Sequence, residues 1–379
     1  MKITICTSGR FWLADLAREL ILLGHDVTFH SIVPPWRLQK FGIPWSSHVC
    51  HLGAVLPWIV ALRKLKLSKR LQDSLEHRIQ RILDARFARI KNPGDVFIGL
   101  SSLCVEAMKA ARLRGARVHL ERGSQHILSQ KEILDALLPD QPSSVPDWAV
   151  KRELAGYELA DTIVVPSRHV LESFIELGVP QTKLFRNPYG VDLSGFPPSK
   201  LLKEPYDVIM VGAWSLRKGC DLLARVALDD LGLRLLHVGP ISDATIPTHP
   251  NFQHFDPVPQ SRLHEFYAQA RIFVIPSHEE GLALVQAQAL ASGLPLVGST
   301  RSGAEDLAEL TGLGVPMIQS VVPDDPAALA TAIRTALQWS KAQPVGPRNL
   351  LGDAGHRLSW AAYGSRYDRF LREMIHTQK

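Results

Sequence analysis

Several places in this 379-residue sequence set charged or nucleophilic side chains at spacings that suit an anionic, hydroxyl-rich ligand. Arg217 and Lys218 stand together before Gly219, at the start of a helix predicted from about Asp221. Two cations there oppose the helix dipole, so they point to an anion held by side chains and backbone N–H groups. Glu279 and Glu280 form an acidic pair before Gly281, and Gln288 follows Glu280 eight residues later. Carried on one helix, Glu280 and Gln288 would lie roughly 12 Å apart along its axis. That span suits a ligand with polar ends and a linker between them, such as a nucleotide-sugar. His126 closes the run Glu121-Arg-Gly-Ser-Gln-His126, and Gly9-Arg10 adds a loop glycine and a cation near the N-terminus.

Each candidate falls where a predicted strand ends. Residues 271–275 are a β-branched and aromatic run closed by Pro276-Ser277, which reads as a buried strand. A small-residue helix follows Gly281 as far as Ser292, and residues 294–298 begin the next strand. Ligands of open parallel sheets bind at the carboxyl ends of the strands, and Glu280 is expected at such an edge. The same argument puts His126 on the loop after strand 116–121, facing an interdomain cleft. Residues 2–7 read as a strand, residues 11–23 as a helix, and residues 26–30 as a second strand. Leu13, Leu16, Ala17, Leu20 and Ile21 give that helix one buried face. This βαβ start lacks G-x-G-x-x-G, which argues against a dinucleotide-dependent dehydrogenase. Further strands are expected at 95–100, 162–165, 207–211 and 234–238. Helices are expected at 106–114 and from Arg152 into strand 162–165. Residues 194–206, with three prolines and no periodicity, read as a hinge. Residues 360–375 form an amphipathic helix with Tyr363, Tyr367, Phe370 and Leu371 in phase.

Composition bounds the rest. The length favours two domains over one core. Cys6, Cys50, Cys104 and Cys220 are scattered, which argues for a reducing compartment and against a zinc site or disulfide framework. The start, MKITICTSGR, is too brief for a signal peptide. The longest near-apolar run, residues 52–62, carries Pro57 and falls well short of the about 20 residues that span a bilayer. A cytoplasmic protein, soluble or peripheral on the inner face of a membrane, is therefore expected. Lys plus Arg number 43 and Asp plus Glu 37, a net charge of +6. That excess suits a nucleotide diphosphate or an anionic lipid; nucleic acid is disfavoured because no recognition motif accompanies it.

Residues 34–90 are the least regular part. Trp36, Trp45 and Trp58 interleave with Arg37, Lys40, Arg63, Lys64, Lys66, Lys69 and Arg70. Either a helix lying on an anionic membrane or a domain helix with a solvated basic face would produce this pattern.

The acidic stretch resembles the donor-site signature E-G-F-G-L-x-x-x-E-A-M-A-x-G of retaining glycosyltransferases of family four, the glycosyl transferases group 1. Glu280, Gly281, Leu284, Ala289, Ala291 and Gly293 match it, Leu282 and Ala283 replace Phe-Gly, and Gln288 replaces the second Glu. The run from Val211 resembles the family's phosphate-binding G-R-x-x-x-x-K-G. Lys218 and Gly219 match, Ala213 replaces the Arg, and Arg217 offers that charge from the neighbouring position. Asn187-Pro-Tyr-Gly-Val-Asp192 is similar to the family's close of the N-terminal domain.

The resemblance implies the α/β fold called GT-B, two Rossmann-like, doubly wound parallel-sheet domains facing a cleft. The acceptor-side domain would span residues 1–194, the nucleotide-sugar donor domain 195–357, and a helix at 358–379 would cross back. It implies retaining transfer of a sugar from a nucleotide diphosphate sugar, UDP- or GDP-linked, to a hydroxyl of a glycan or lipid-linked acceptor. No cofactor is implied, and no Asp-x-Asp metal motif precedes the site. Glu280, His126 and Lys218 would be catalytic, and Arg217, Gly281, Leu282, Ala283, Leu284 and Gln288 would bind the donor. Gly9 and Arg10 would form the acceptor or phosphate loop, and residues 256–259 would face the base. A same-fold epimerase, a phosphorylase-like enzyme lacking an identifiable pyridoxal lysine, and a non-catalytic binder or partner subunit remain alternatives. Gln288 and Ala213 favour the binder.

Overall fold

β-branched runs alternate with helices along the chain, a pattern that yields parallel strands covered on both faces. The computed structural model describes residues 1–65, 67–198, 205–344 and 347–376. Its first sheet comprises β1 (Lys2–Cys6), β2 (Asp26–Ser31), β3 (His48–Cys50), β4 (Val96–Leu100), β5 (Arg117–Glu121), β6 (Thr162–Val165) and β7 (Leu184–Arg186). Their order is β3-β2-β1-β4-β5-β6-β7, and every pairing is parallel. The second comprises β8 (Tyr206–Val211), β9 (Leu235–Val238), β10 (Phe252–Phe255), β11 (Ala270–Ile275), β12 (Leu296–Ser299) and β13 (Ile318–Val321). Its order is β10-β9-β8-β11-β12-β13, again parallel throughout. In both sheets the strand order reverses beside the first strand, and the carboxyl edge at that switch point is where open α/β sheets bind ligands.

The central strands are buried on both faces, so they read as near-continuous apolar runs. Ile3 and Ile5 of β1 and Ile209, Phe273 and Leu296 of the second sheet are at most 1% exposed. Register follows: Ile3 stands between Val27 and Val96, and Phe273 between Ile209 and Leu296.

Residues 34–90 are more regular than expected. A short helix Pro35–Gln39, edge strand β3 and the helices Leu52–Lys64 and Lys69–Phe87 occupy them. Pro57 and Gly53 obscure the period of the first long helix. Tertiary contacts anchor the second, since Asp84 accepts the Glu106 and Ala107 N–H groups at 3.0 and 2.8 Å and an Arg152 N–H at 2.6 Å. Lys66 lies outside the described residues, as do residues 199–204 of the expected hinge. Among the described residues no helix is long and apolar enough to cross a membrane.

The chain passes between the sheets twice. Residues 187–198 leave the first, and the helix Trp360–His376 returns to lie along the helix Phe11–Leu22. Tyr363, Tyr367 and Leu371 are fully buried there, and Phe370 stacks on Phe185 of β7 at 3.9 Å. Arg366 donates to Asn187 Oδ1 at 2.8 Å and to the Pro188 carbonyl at 2.6 Å, pinning the outgoing strand of chain to the returning helix. Truncating a buried leucine leaves a cavity as well as losing transfer energy. Leu371→Ala should therefore cost about 2–5 kcal/mol, read as a lower denaturant midpoint; an unchanged midpoint would show that the returning helix contributes little to stability.

Candidate active site

Strand β11 ends in Pro276-Ser277, and the acidic pair follows on a loop rather than on a helix. The helix begins only at Leu284 and runs to Ala291. Glu280 and Gln288 therefore do not share a helix, and the 12 Å axial separation expected from their spacing does not apply. The cause is Gly281, where the loop meets the other domain. A β-carbon at Gly281 would sit 1.9 Å from the Gly123 carbonyl oxygen, so only glycine lets the two backbones touch.

Polar contacts seal this seam. Ser167 Oγ, buried after β6, donates to the Gly281 carbonyl at 2.6 Å. His169 Nε2 lies 2.8 Å from the Glu280 carbonyl oxygen, which only accepts, so that nitrogen carries the proton. Burial lowers the His169 pKa, against that hydrogen bond, which raises it. Ser124, on the loop after β5, donates to a Glu279 carboxylate oxygen. Beside these lies an ionic patch in which Arg186 reaches Asp306 at 2.8 Å and Glu309 at 2.6 Å. Hydrogen bonds from Arg186 hold Glu309 down to about 2.

The basic pair meets the acidic pair here. Lys218, 9% exposed, forms an ion pair with Glu280. Arg217 Nη1 donates to the Glu279 carbonyl at 2.9 Å and lies 3.4 Å from Glu279 Oε2 and 3.2 Å from Glu280 Oε1. Local geometry aims both cations. Residues Leu216–Lys218 form one 3₁₀ turn, capped where Ser215 Oγ accepts the Lys218 N–H. Gly219 then takes φ +68, with its α-carbon against the end of β11: a β-carbon would lie 2.4 Å from the Pro276 carbonyl oxygen. The Lys-Gly pair is thus a steric requirement of the turn as well as a source of charge. Ala213 leaves Arg217 as the second cation of this cluster.

Alongside the seam, residues of both domains line a cleft of about 1230 Å³. Arg10, Leu282, Leu284 and Gln288 open onto it, together with Trp12, Tyr189 and Trp360. Gln288 Oε1 accepts from the Tyr267 hydroxyl at 3.4 Å. Gly9 lies beneath the Phe11 ring at the start of the first helix.

His126 differs from its expected cleft-facing position. Its ring is 3% exposed and packs against Tyr157 and Phe174 at 4.9 and 5.0 Å. Its Nδ1 accepts the Leu128 N–H, capping the helix Ile127–Leu137. Burial, aided by Arg122, lowers its pKa to about 4. The polar groups that this loop does present across the seam are Ser124 and the Gly123 carbonyl, two residues that the sequence reading passed over inside the run it quoted.

Glu121 is another. It lies at the end of β5, 1% exposed, and accepts the Trp12 indole N–H at 2.7 Å. Burial pushes its pKa up to about 7, against hydrogen bonds from Trp12 and Tyr367 that lower it. Trp12 in turn packs on Tyr189 at 4.7 Å in the cleft wall. No local signal links Trp12 to a carboxylate 109 residues away.

Comparison with known proteins bears on the fold and on the second domain. The chain aligns with sucrose-phosphate synthase of Thermosynechococcus elongatus at a TM-score of 0.65, with 16% identity and 100% of each chain covered. It aligns with Anabaena HepE in complex with UDP at 0.67, with 14% identity over 98% of this chain and 100% of that one. For HepE in complex with UDP-glucose the TM-score is 0.64 at 15% identity, over 98% and 100% of the two chains. The two parallel-sheet domains are therefore those of the GT-B glycosyltransferase fold. Residues 205–338, which hold the second sheet and the basic and acidic pairs, match the family glycosyl transferases group 1. Within the sequence, 124 residues are 30% identical to D-inositol 3-phosphate glycosyltransferase of Thermobifida fusca (strain YX), a match that spans 32% of this chain and 26% of that protein.

The buried Glu121 makes a pH prediction. Its folded pKa near 7 lies above the ordinary carboxylate value of 4.5, so the fold holds a proton that the unfolded chain releases. The stability this contributes is complete below about pH 4.5 and is lost as pH rises through 7. Glu121→Gln keeps an acceptor for Trp12 and cannot ionise. From pH 5 to pH 8 it should gain on the parent chain by an amount on the order of 3 kcal/mol in denaturant unfolding. Parallel pH profiles for the two proteins would show that Glu121 ionises normally.

Proposed function

We propose that this protein is a retaining glycosyltransferase that moves a sugar from a nucleotide diphosphate sugar to an acceptor hydroxyl, in glycan, polysaccharide or glycolipid synthesis. The observation that carries the reading is the convergence of Lys218, Arg217 and Glu280 beside a cleft that both domains line. The group 1 match over these residues and the UDP and UDP-glucose named in the HepE structures support a nucleotide-sugar donor.

In the reaction the bond from the anomeric carbon to the diphosphate breaks, and a bond to the acceptor oxygen forms. Positive charge develops on the sugar ring and negative charge on the leaving diphosphate. Lys218 and Arg217 stabilise the diphosphate, a task that a divalent metal performs in other transferases. Glu280 pairs with Lys218, so an incoming diphosphate competes with that carboxylate for the ammonium group. Glu280 so displaced is free to accept sugar hydroxyls, and residues 281–283 offer backbone N–H groups beside it. Gln288 faces the ribose, with one carbonyl acceptor where a carboxylate would offer two oxygens. The Ser167, His169 and Ser124 contacts hold the domains closed around the site and keep water from the activated sugar.

We place the protein in the cytoplasm, on an anionic membrane face. The helix Leu52–Lys64 is rich in apolar residues yet buries only Val55 fully. Trp36 and Trp45 are 60% and 57% exposed, and Leu56, Val60, Leu65 and Leu71 are exposed as well. Arg37, Arg63, Lys64, Lys69 and Arg70, interleaved with them in sequence, are all exposed. Trp58 is turned partly inward beneath the Arg78 guanidinium at 4.1 Å. Apolar side chains interleaved with cations suit a surface of anionic headgroups.

Two experiments test these readings. Lys218→Ala should lower kcat by about 10²–10³, because the charge matters most as the diphosphate departs. It should also weaken binding of the free nucleoside diphosphate, whereas Glu280→Ala should abolish transfer while leaving that binding intact or tighter. Sugar transfer from the best of UDP-, GDP- and ADP-sugars, with calorimetry of the product nucleotide, reads both effects. Near-parental transfer by both variants would favour a non-catalytic binder. In flotation with vesicles containing phosphatidylglycerol, the protein should bind at low salt and release at 1 M, where screening falls to about 3 Å. Binding indifferent to salt, or none, sinks the membrane assignment.

A further inference from the structure

The charges at the seam and those lining the cleft are balanced differently. At the seam, the cations Lys218 and Arg217 face two carboxylates, Glu279 and Glu280. On the N-domain lip, Arg10, Arg18 and Lys40 line the cleft with Asp15 as the lip's own lining carboxylate. Asp15 is shared, accepting from Arg10 at 3.2 Å and from Arg18 at 2.6 Å. Arg18 also donates to the Glu19 carboxylate at 2.7 Å, whereas Lys40 is exposed and has no carboxylate partner among the described residues. Asp192, also in the lining, accepts from the Ser194 hydroxyl and N–H at 2.7 and 3.0 Å. Arg10 and Arg18 are thus answered by Asp15 and Glu19, and Lys40 is the lining cation that no carboxylate among the described residues answers.

The lip is also shaped for a ring. Phe11 stands 49% exposed at the cleft mouth and is held at φ +41, a region that a bulky residue occupies only under constraint. The Arg10 guanidinium carbon lies over the Phe41 ring, 3.7 Å from its centroid, and is held by Asp15 while 42% of the side chain stays exposed. Trp12, Tyr189 and Trp360 form the adjoining wall. Aromatic faces cover the apolar side of a sugar, and a fixed guanidinium with a nearby ammonium suits a tetrahedral or planar oxyanion.

Resting on the transferase reading above, we propose that the acceptor is a sugar bearing an anionic group, a phosphate or a carboxylate, and that Arg10, Arg18 and Lys40 bind that group on the N-domain lip. The same chemistry is offered by a soluble sugar phosphate and by a polyprenyl phosphate-linked sugar at the membrane.

The test uses the full chain saturated with UDP, so that the donor end is filled. Calorimetric titration compares inorganic phosphate, glucose 6-phosphate, glucuronate and glucose, and flotation compares phosphatidylcholine vesicles with and without a polyprenyl phosphate. At least one anionic probe should bind tenfold or more tightly than glucose. Lys40→Glu should weaken it at least tenfold while changing UDP affinity less than twofold, and Arg10→Gln should weaken it as well. Preference for the soluble anions identifies a soluble acceptor, and binding only to the polyprenyl phosphate vesicles identifies a lipid-linked one. If no anionic probe outbinds glucose, or Lys40→Glu binds as the parent chain does, the lip is not an anion site. Failure of UDP, GDP and ADP alike to bind would count against the donor reading instead, and the same anion titrations on the unliganded protein would still decide the lip.

Discussion

Where Gly281 meets Gly123, two backbones approach so closely that a single β-carbon would collide with a carbonyl oxygen at 1.9 Å. Most of the site depends on that approach. It stops the helix of the signature stretch from starting before Leu284, and it sets the acidic pair on a loop within reach of Ser124, Ser167 and His169. The loop must then carry its carboxylates into a region where water is scarce, since Glu279 is 1% exposed. A buried carboxylate without a partner is strongly disfavoured. Arg217 and Lys218, presented by the turn at Gly219, supply the partners. The steric contact between domains and the charge pairing within the second domain are in this sense one arrangement.

That arrangement explains why the cation cluster is neutralised while the N-domain lip is not. Charges inside the seam are matched because desolvation penalises any that are not. Charges on the open lip remain hydrated, so an unmatched Lys40 costs little until a ligand covers it. A ligand that displaces this water gains from each cation it meets. The seam and the lip thus call for different partners: one competes with a resident carboxylate, the other meets Lys40, which no carboxylate among the described residues answers.

The returning C-terminal helix adds a second link between the halves. Tyr363 and Tyr367 lie buried against the first helix, close beneath the Glu121–Trp12 pair that backs the cleft wall. The wall therefore rests on residues from three separated parts of the chain. Burial in that wall favours a neutral Glu121 over a charged one, against the Trp12 and Tyr367 hydrogen bonds that favour the carboxylate.

Sequence alone determined what local period and local chemistry can determine. The β-branched runs of β1, β8 and β11, the amphipathic face of the first helix and the aromatic phase of the last are each visible within a dozen residues. Arg217-Lys218-Gly219 and Glu279-Glu280-Gly281 stood out for the same reason, since unusual charge beside a turn glycine needs no partner to be noticed. Tertiary structure decided the rest. Gln288 and Glu280 were eight residues apart in sequence, but a contact with the other domain broke the helix that would have joined them. His126 occupied the expected loop, yet its ring turned into an aromatic pocket built from Tyr157 and Phe174. Helix was expected between residues 34 and 90, but not its bounds, because the bonds that anchor the helix ending at Phe87 reach Glu106, Ala107 and Arg152. Arg217 met Glu279 across 62 residues, and Trp12 met Glu121 across 109. Such pairings depend on the crossing of sheet edges, and no short window of sequence carries the geometry of that crossing.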